Sequence, residues 1–320
     1  MGIGRRAVLY GAGGALVAAA TGCGAGAFRT STGAAPATPV ARPSGPLPKT
    51  TPWRPDRADI DPAVKLRAVQ VVEAIGAWRP GQGGPAAARR RVAALGAAPS
   101  LVAEAGPLLP AADEAALQVI DAQYGGILTE TASVLVVCRQ WTPGHAGGTT
   151  GTTVDVRLRR ARPHWEVTAL HPAEPGAAAR SLPTAAHRVL AHSRITLPPA
   201  AEADIRSGQI HESVLRALLR LASAYRMDVS VIRSGHPLDV FGTDRPSDHP
   251  RGRAFDVWRI DGHRVVDPAT SRRLVETFMR DAAAAGSYNV GGPLRIPGGA
   301  GNQFFTDATH HDHVHAGFTA

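Results

Sequence analysis

Histidine and aspartate residues concentrate in two short parts of this sequence. The segment 247–258 contains His249 and Asp256, and His313 and His315 lie close together further along the chain. Imidazole nitrogens and carboxylate oxygens are ligands that Zn²⁺ binds, and three protein ligands leave one position of a tetrahedral shell for water. Two histidines and one aspartate also leave the metal a net positive charge, which acidifies that water. These residues therefore predict a zinc site of the catalytic type, and two cysteines are too few for a Cys-rich one.

Local secondary structure has to bring these side chains together. We predict a strand over 254–258, on which Asp256 points to the face opposite its two apolar neighbours. The residues just before this strand form a predicted turn with His249 at its tip, so its imidazole can extend over the same face. Alternation along a second strand places His313 and His315 on one face, where one imidazole can bind the metal while the other serves the substrate.

Two sequence patterns in these segments resemble a known family. The pattern Ser-x-His-x-x-Gly-x-Ala-x-Asp lies at 247–256, and His-x-His lies at 313–315. Together they resemble the zinc D-alanyl-D-alanine carboxypeptidases and the vancomycin-resistance type D,D-peptidases. The same superfamily contains the lysostaphin-type endopeptidases and the hedgehog signalling domain. The resemblance covers about 227–318 and implies a hedgehog/DD-peptidase-like zinc domain with a small antiparallel sheet.

The resemblance implies a role for each matching residue. It makes His249, Asp256 and His315 the zinc ligands. The general base of the family is an acid three positions before the last ligand, and here that position is Asp312, where many relatives have Glu. His313 matches the first His of His-x-His, which helps to stabilise the transition state in relatives. We expect Asp312 to deprotonate the attacking water, with His313 as its electrostatic partner.

The residues by themselves leave the roles of Asp312 and His313 open. Strict alternation along the strand points Asp312 away from His315, which favours His313 as the base. If the strand begins only at His313, Asp312 lies in the preceding loop and can reach the water.

Arg233 completes the set of candidate site residues. It precedes His249 by sixteen positions and matches the arginine that binds substrate near its carbonyl or carboxylate in the family. The resemblance then implies an exported zinc metallopeptidase that hydrolyses peptide bonds of peptidoglycan stem peptides, as a D,D-carboxypeptidase or a related endopeptidase. Two alternatives stay open: a zinc-containing binding module without catalysis, and an envelope scaffold whose N-terminal domain carries the function.

The N-terminal residues predict export. Arg5 and Arg6 precede an apolar stretch over 7–20, a pattern that is typical of a secretory signal and resembles a twin-arginine signal. The three residues that end in Cys23 resemble a bacterial lipobox. We predict a signal peptide over 1–22, lipidation of Cys23 and anchoring at the outer face of the cytoplasmic membrane. The alternative is an ordinary cleaved signal, with Cys23 present by chance.

The remaining chain divides into a linker and two domains of a predicted α+β class. Residues 23–55 are rich in Ala, Pro, Thr, Ser and Gly, which is typical of a flexible tether. The first helix begins with Asp61 as its predicted cap and Pro62 in its first turn. We predict helices over 62–75, 86–95, 115–124 and 214–225, and strands over 133–141, 152–159, 164–170 and 227–232. The element order of the N-terminal domain, 56–185, resembles nuclear-transport-factor-2-like domains, and the zinc peptidase domain spans 195–320.

The charge of the chain bears on its partners. The formal net charge is +9, but the arginines are scattered rather than arranged in a stripe with aromatic residues. This pattern suits an anionic cell envelope and does not predict binding of nucleic acid. The expected partners are therefore peptidoglycan peptides and, through the lipid anchor, a membrane.

Overall fold

Two β-sheets organise the computed structural model, which describes residues 46–143 and 150–319, all within one compact unit. The helices are α1 (Pro62–Gly76), α2 (Gly84–Ala94), α3 (Thr184–Leu190), α4 (Pro199–Arg206), α5 (Glu212–Ala222) and α6 (Arg272–Ala284). The strands are β1 (Ala116–Ile127), β2 (Thr131–Trp141), β3 (Thr150–Arg159), β4 (Glu166–Pro172), β5 (Ile195–Thr196), β6 (Met227–Val231), β7 (Ala254–Ile260), β8 (His263–Arg264), β9 (Asn289–Gly291), β10 (Phe304–Phe305) and β11 (Val314–Gly317). The predicted signal peptide, Cys23 and most of the predicted linker lie outside the described residues.

The first sheet is an antiparallel meander in the order β1-β2-β3-β4, with α1 and α2 packed on one face. The apolar stripe predicted for α1 is fully buried against this sheet, at Val64, Ala68, Val71, Val72 and Ile75. Burial of such a stripe supplies most of the stability of a helix in a folded protein. The predicted first helix is therefore confirmed.

The predicted cap of this helix is wrong. Asp61 has a left-handed backbone, with φ of 47°, and its side chain makes no capping hydrogen bond. A capping side chain requires an extended backbone at that position, which explains the missing bond. The Asp61 carboxylate instead accepts a hydrogen bond from Trp165 Nε1, with 3.3 Å between Oδ2 and Nε1.

The predicted helix over 115–124 is also wrong, because this segment forms most of β1. Half-buried and buried side chains alternate from Ala116 to Asp121, the period of two that a strand requires. Pairing with β2 buries Leu117 and Val119 in the core beneath α1. Packing between neighbouring strands decides strand formation more than local preference does.

The second sheet is mixed and has the order β10-β9-β11-β7-β6-β5, with β8 paired to β7. Helices α3, α5 and α6 cover one of its faces, and Phe255, Val257 and Val314 lie in the core between them. Because successive side chains point to opposite faces of a strand, Asp256 and His315 point away from these helices. This arrangement agrees with the predicted strand over 254–258.

The two sheets pack against each other, so that the layers follow the order helix, sheet, sheet, helix. Leu135 and Val137 of β2 form a small buried cluster with Val231 of β6 at this interface. Asp256 and His315 lie on the face of the second sheet that meets the first. Helices combined with largely antiparallel strands confirm the α+β class. Among the described helices, none is long and apolar enough to cross a membrane.

Candidate metal centre

Three nitrogen and oxygen atoms converge at the interface between the sheets. His249 Nε2 lies 3.1 Å from His315 Nδ1 and 3.2 Å from Asp256 Oδ1. His315 Nδ1 lies 3.0 Å from the same Oδ1. All three residues are buried. We call His249, Asp256 and His315 the candidate metal centre, and these are the residues that the sequence resemblance assigns as ligands.

Strand register and one glycine bring these residues together. Antiparallel pairing of β11 with β7 sets His315 directly opposite Asp256. His249 lies in the turn before β7, where the N–H of Gly252 donates to the carbonyl of His249. Gly252 has φ of +67°, and a Cβ atom there would lie 2.1 Å from the carbonyl oxygen of Gln209. Only glycine therefore fits this turn, which fixes the approach of His249 to the strand.

The contact between His249 Nε2 and Asp256 Oδ1 requires a proton or a metal ion between the two atoms. His249 Nδ1 lies 2.9 Å from the carbonyl oxygen of Ile232, so Nδ1 carries the hydrogen and a neutral ring leaves Nε2 bare. Burial acts to raise the pKa of Asp256, but the charges of His249 and His313 hold it well below its usual range. An ionised carboxylate only accepts, so the contact is satisfied either by a hydrogen on His249 Nε2 or by a metal ion that both atoms bind.

The spacing of the donor atoms fits a small divalent ion. Zinc bonds of about 2.0–2.2 Å in a tetrahedral shell separate neighbouring donors by roughly 3.3–3.6 Å. The observed separations of 3.0–3.2 Å are within a few tenths of an ångström of that range. Burial also lowers the pKa of His315 to about 4, which keeps its ring in the neutral form that binds metals.

A further histidine, His236, lies beside the centre. Its ring stacks on that of His249, with centroids 4.0 Å apart. His236, His249 and Asp256 each offer an atom, and these atoms all lie within 4.8 Å of one another, so this group could also hold a metal ion. Burial lowers the pKa of His236 well below its usual value, which favours the neutral ring. His236 lies in the loop that follows β6.

Asp312 and His313 form a hydrogen-bonded pair next to the centre. His313 Nδ1 lies 2.6 Å from Asp312 Oδ1, and His313 Nε2 lies 3.8 Å from Asp256 Oδ2. Both residues precede β11, which begins at Val314. The Asp312 carboxylate therefore lies in the loop, as one of the two sequence alternatives requires. The Asp312 carboxylate, however, contacts Nδ1 of His313, whereas Nε2 of His313 lies towards Asp256 of the candidate metal centre.

Lys65 of α1 holds the second oxygen of Asp312. Its Nζ lies 2.6 Å from Asp312 Oδ2, which also accepts from the backbone N–H of Tyr124 at 3.0 Å. Lys65 pairs with Asp59 as well, and its side chain is 1% exposed. Burial acts to lower the pKa of Lys65, but the charges of Asp312 and Asp59 raise it, so the ammonium is charged. Although burial raises the pKa of Asp312, Lys65 and His313 hold it well below its usual range.

Arg233 lines a large cleft beside the centre. The cleft has a volume of about 1250 Å³ and is bounded by Asp155, Arg157 and His171 from the first sheet and by Arg233 and His236 from the second half. The Arg233 guanidinium donates to Gln209 Oε1 at 2.8 Å and to the carbonyl of Pro175 at 3.3 Å. Its Nε is buried and has no hydrogen-bond partner among the described residues. Arg233 is thus at the wall of the cleft, separate from the candidate metal centre.

Two residues of the first half of the chain belong to this region and are absent from the sequence prediction. They are Lys65, on α1, and Gln123, on β1. The burial of Lys65 could have been inferred from the sequence, because Lys65 lies in the apolar stripe of its helix, three and four positions before Ala68 and Val69. A charged residue in such a stripe needs a buried partner. Gln123 gives no comparable signal.

Comparison of the chain with protein-family models, with curated proteins and with solved structures found no match.

Proposed function

We propose that this chain is a zinc-dependent peptidase that acts on peptidoglycan stem peptides, with a hedgehog/DD-peptidase-like second half and a first half like the nuclear-transport-factor-2-like domains. The observation that carries the proposal is the convergence of His249, Asp256 and His315 on one point with zinc-like spacing. These are the residues that the motif of the family supplies. A cleft large enough for a peptide is lined by His236, whose ring stacks on that of His249.

Zinc bound by these three residues would polarise a substrate carbonyl and lower the pKa of a water molecule. His313 is placed to take the proton of that water at Nε2, the ring nitrogen that faces Asp256. Asp312 holds the hydrogen on Nδ1, so the neutral form of the His313 ring would accept at Nε2. We therefore propose His313 as the general base and Asp312 as the residue that orients it, because both Asp312 oxygens already accept strong hydrogen bonds.

The purified protein should contain about one zinc ion per chain, as a catalytic site with three protein ligands requires. His249→Ala and Asp256→Ala should each lose most of that metal, whereas His263→Ala, at the exposed start of β8, should keep it. Atomic emission of the dialysed proteins measures the content. A protein that keeps its zinc after both ligand changes would refute the ligand assignment. A zinc-loaded protein that cleaves no peptidoglycan fragment would instead favour a non-catalytic binding module.

Arg233→Ala should leave zinc binding intact and reduce peptide cleavage in a way that depends on the substrate. An arginine that pairs with a free terminal carboxylate contributes through two parallel charge-assisted hydrogen bonds. Removal of a terminal residue should then suffer more than internal cleavage, and Arg233→Lys should recover only part of the loss because it lacks the planar fork. Product masses from stem peptides with free and blocked C-termini measure the contrast. Equal losses on both peptides would favour an endopeptidase.

A further inference from the structure

Gln123 of β1 reaches across the interface between the sheets to the candidate metal centre. Its Nε2 donates to Asp256 Oδ2 at 2.6 Å, and the two residues are 133 positions apart in the chain. Asp256 therefore divides its two oxygens between different partners. Oδ1 faces the imidazoles of His249 and His315, while Oδ2 accepts from the first sheet. Gln123 is fully buried, so no water competes for this bond.

The orientation of the Gln123 amide follows from its partners. The Asp256 carboxylate can only accept, so the amide must present its NH₂ group to Oδ2. The other end of the amide, Oε1, accepts a hydrogen bond from the Ser230 hydroxyl on β6. Ser230 is also fully buried. The carboxylate contact sets the orientation of the amide, and the Ser230 hydroxyl donates to Oε1 in that orientation, so that Gln123 is held against the Asp256 carboxylate from both ends.

Lys65 makes a second, independent contact from the first half of the chain. It neutralises Asp312, the residue that holds His313 in place. The backbone N–H of Tyr124, next to Gln123 on β1, donates to the same Asp312 oxygen. The carboxylates of Asp256 and Asp312 are therefore both held by residues of α1 and β1, which the sequence resemblance does not cover.

We propose that the first sheet and α1 complete the metal centre, with Gln123 as a positioning residue that orients the ligand Asp256 through Oδ2. This inference rests on the proposed function only in taking Asp256 to be a metal ligand. It gives the first half of the chain a role inside the site. Partners that orient metal ligands in this way typically change metal affinity by about 10–100-fold.

The test is the affinity of the whole protein for zinc, measured by competition with a chromogenic chelator. Gln123→Met keeps the volume of the side chain and removes its donor, so it should weaken zinc binding about 10–100-fold. Gln140→Met is the matched control, because Gln140 is a buried glutamine of the same sheet that donates to the carbonyls of Gly76 and Leu108. It should lower stability without changing zinc affinity.

Two further measurements keep the outcome decisive. The absorption spectrum of the cobalt(II)-substituted protein should shift in Gln123→Met and stay unchanged in Gln140→Met. If Gln123→Met does not fold, Ser230→Ala should show a smaller loss of affinity in the same direction. Wild-type affinity and an unchanged cobalt spectrum in the folded Gln123→Met or Ser230→Ala protein would overturn the inference and leave the proposed peptidase intact. Failure of the wild-type protein to bind zinc would overturn both.

Discussion

His313→Ala should retain zinc and fold while lowering turnover of a peptidoglycan peptide by about 10²–10⁴-fold, the usual contribution of a positioned general base. The expectation rests on the placement of His313 Nε2, which lies 3.8 Å from Oδ2 of the candidate ligand Asp256. His313 offers none of the converging atoms of that centre, so its removal should leave the metal bound. Zinc content and kcat of the same preparation measure both expectations.

Asp312→Ala provides the contrast. It removes the group that orients His313 but leaves the imidazole itself in place, so its loss of kcat should be smaller than that of His313→Ala. Lys65 would keep Asp59 as its partner in this variant. If zinc-loaded Asp312→Ala is the more damaged of the two, Asp312 is the base and His313 stabilises the transition state, as the family resemblance implies.

Lys65→Met should destabilise the protein by about 3–5 kcal/mol, the usual cost of leaving a buried charge without its partner. The variant leaves Asp59 and Asp312 buried without their shared cation. Asp121 lies in the same region, and burial already raises its pKa to about 7. Denaturant unfolding at pH 7 measures the change. Arg216→Met is the control, because Arg216 pairs with Glu212 on the exposed surface of α5 and its loss should have little effect.

The deficit of Lys65→Met should also depend on pH. In the wild-type protein, burial acts to raise the pKa of Asp312, but Lys65 and His313 hold it well below the unfolded value. This ionised carboxylate therefore stabilises the fold above about pH 4, and the stabilisation is lost as the pH falls. Without Lys65, protonation of the buried carboxylates stabilises the folded variant. The difference in free energy of unfolding between variant and wild type should therefore narrow from pH 7 to pH 4. A gap that is constant over this range would show that Lys65 acts by packing alone.

The sequence places His249, Asp256 and His315 near one another because the determinants of that arrangement are local. His249 and Asp256 lie seven positions apart on a turn and the strand that follows it. His315 lies on the short strand β11, which pairs with β7, and the alternation of side chains along β11 points it to the same face as Asp256. Motif spacing and a period of two are enough to place three such side chains on one face. The same periodicities predict α1, α5 and the β3–β4 hairpin.

What the sequence does not predict depends on contacts between distant parts of the chain. Gln123 meets Asp256 across 133 positions, and Tyr124 meets Asp312 across 188. No local sequence pattern specifies which faces of the two sheets pack together. The sequence therefore does not predict the hydrogen-bond partners of these carboxylates. The wrong helix over 115–124 has the same origin, because β1 is a strand only through its pairing with β2. The sequence also leaves open whether the Asp312 carboxylate can reach the attacking water. The position of that carboxylate depends on Lys65, which lies on a helix far away in sequence.

The position of β11 within its sheet determines what loss of the last described residues would do. A strand at the edge of a sheet can fray without exposing other strands. Here β11 lies between β9 and β7, and its removal would leave two interior strands with free backbone N–H and C=O groups. A chain shortened before Val314 would therefore have a gap in the middle of the second sheet. Such a chain would expose unpaired strand edges that are prone to pair with another copy of itself, in addition to losing His315 from the site.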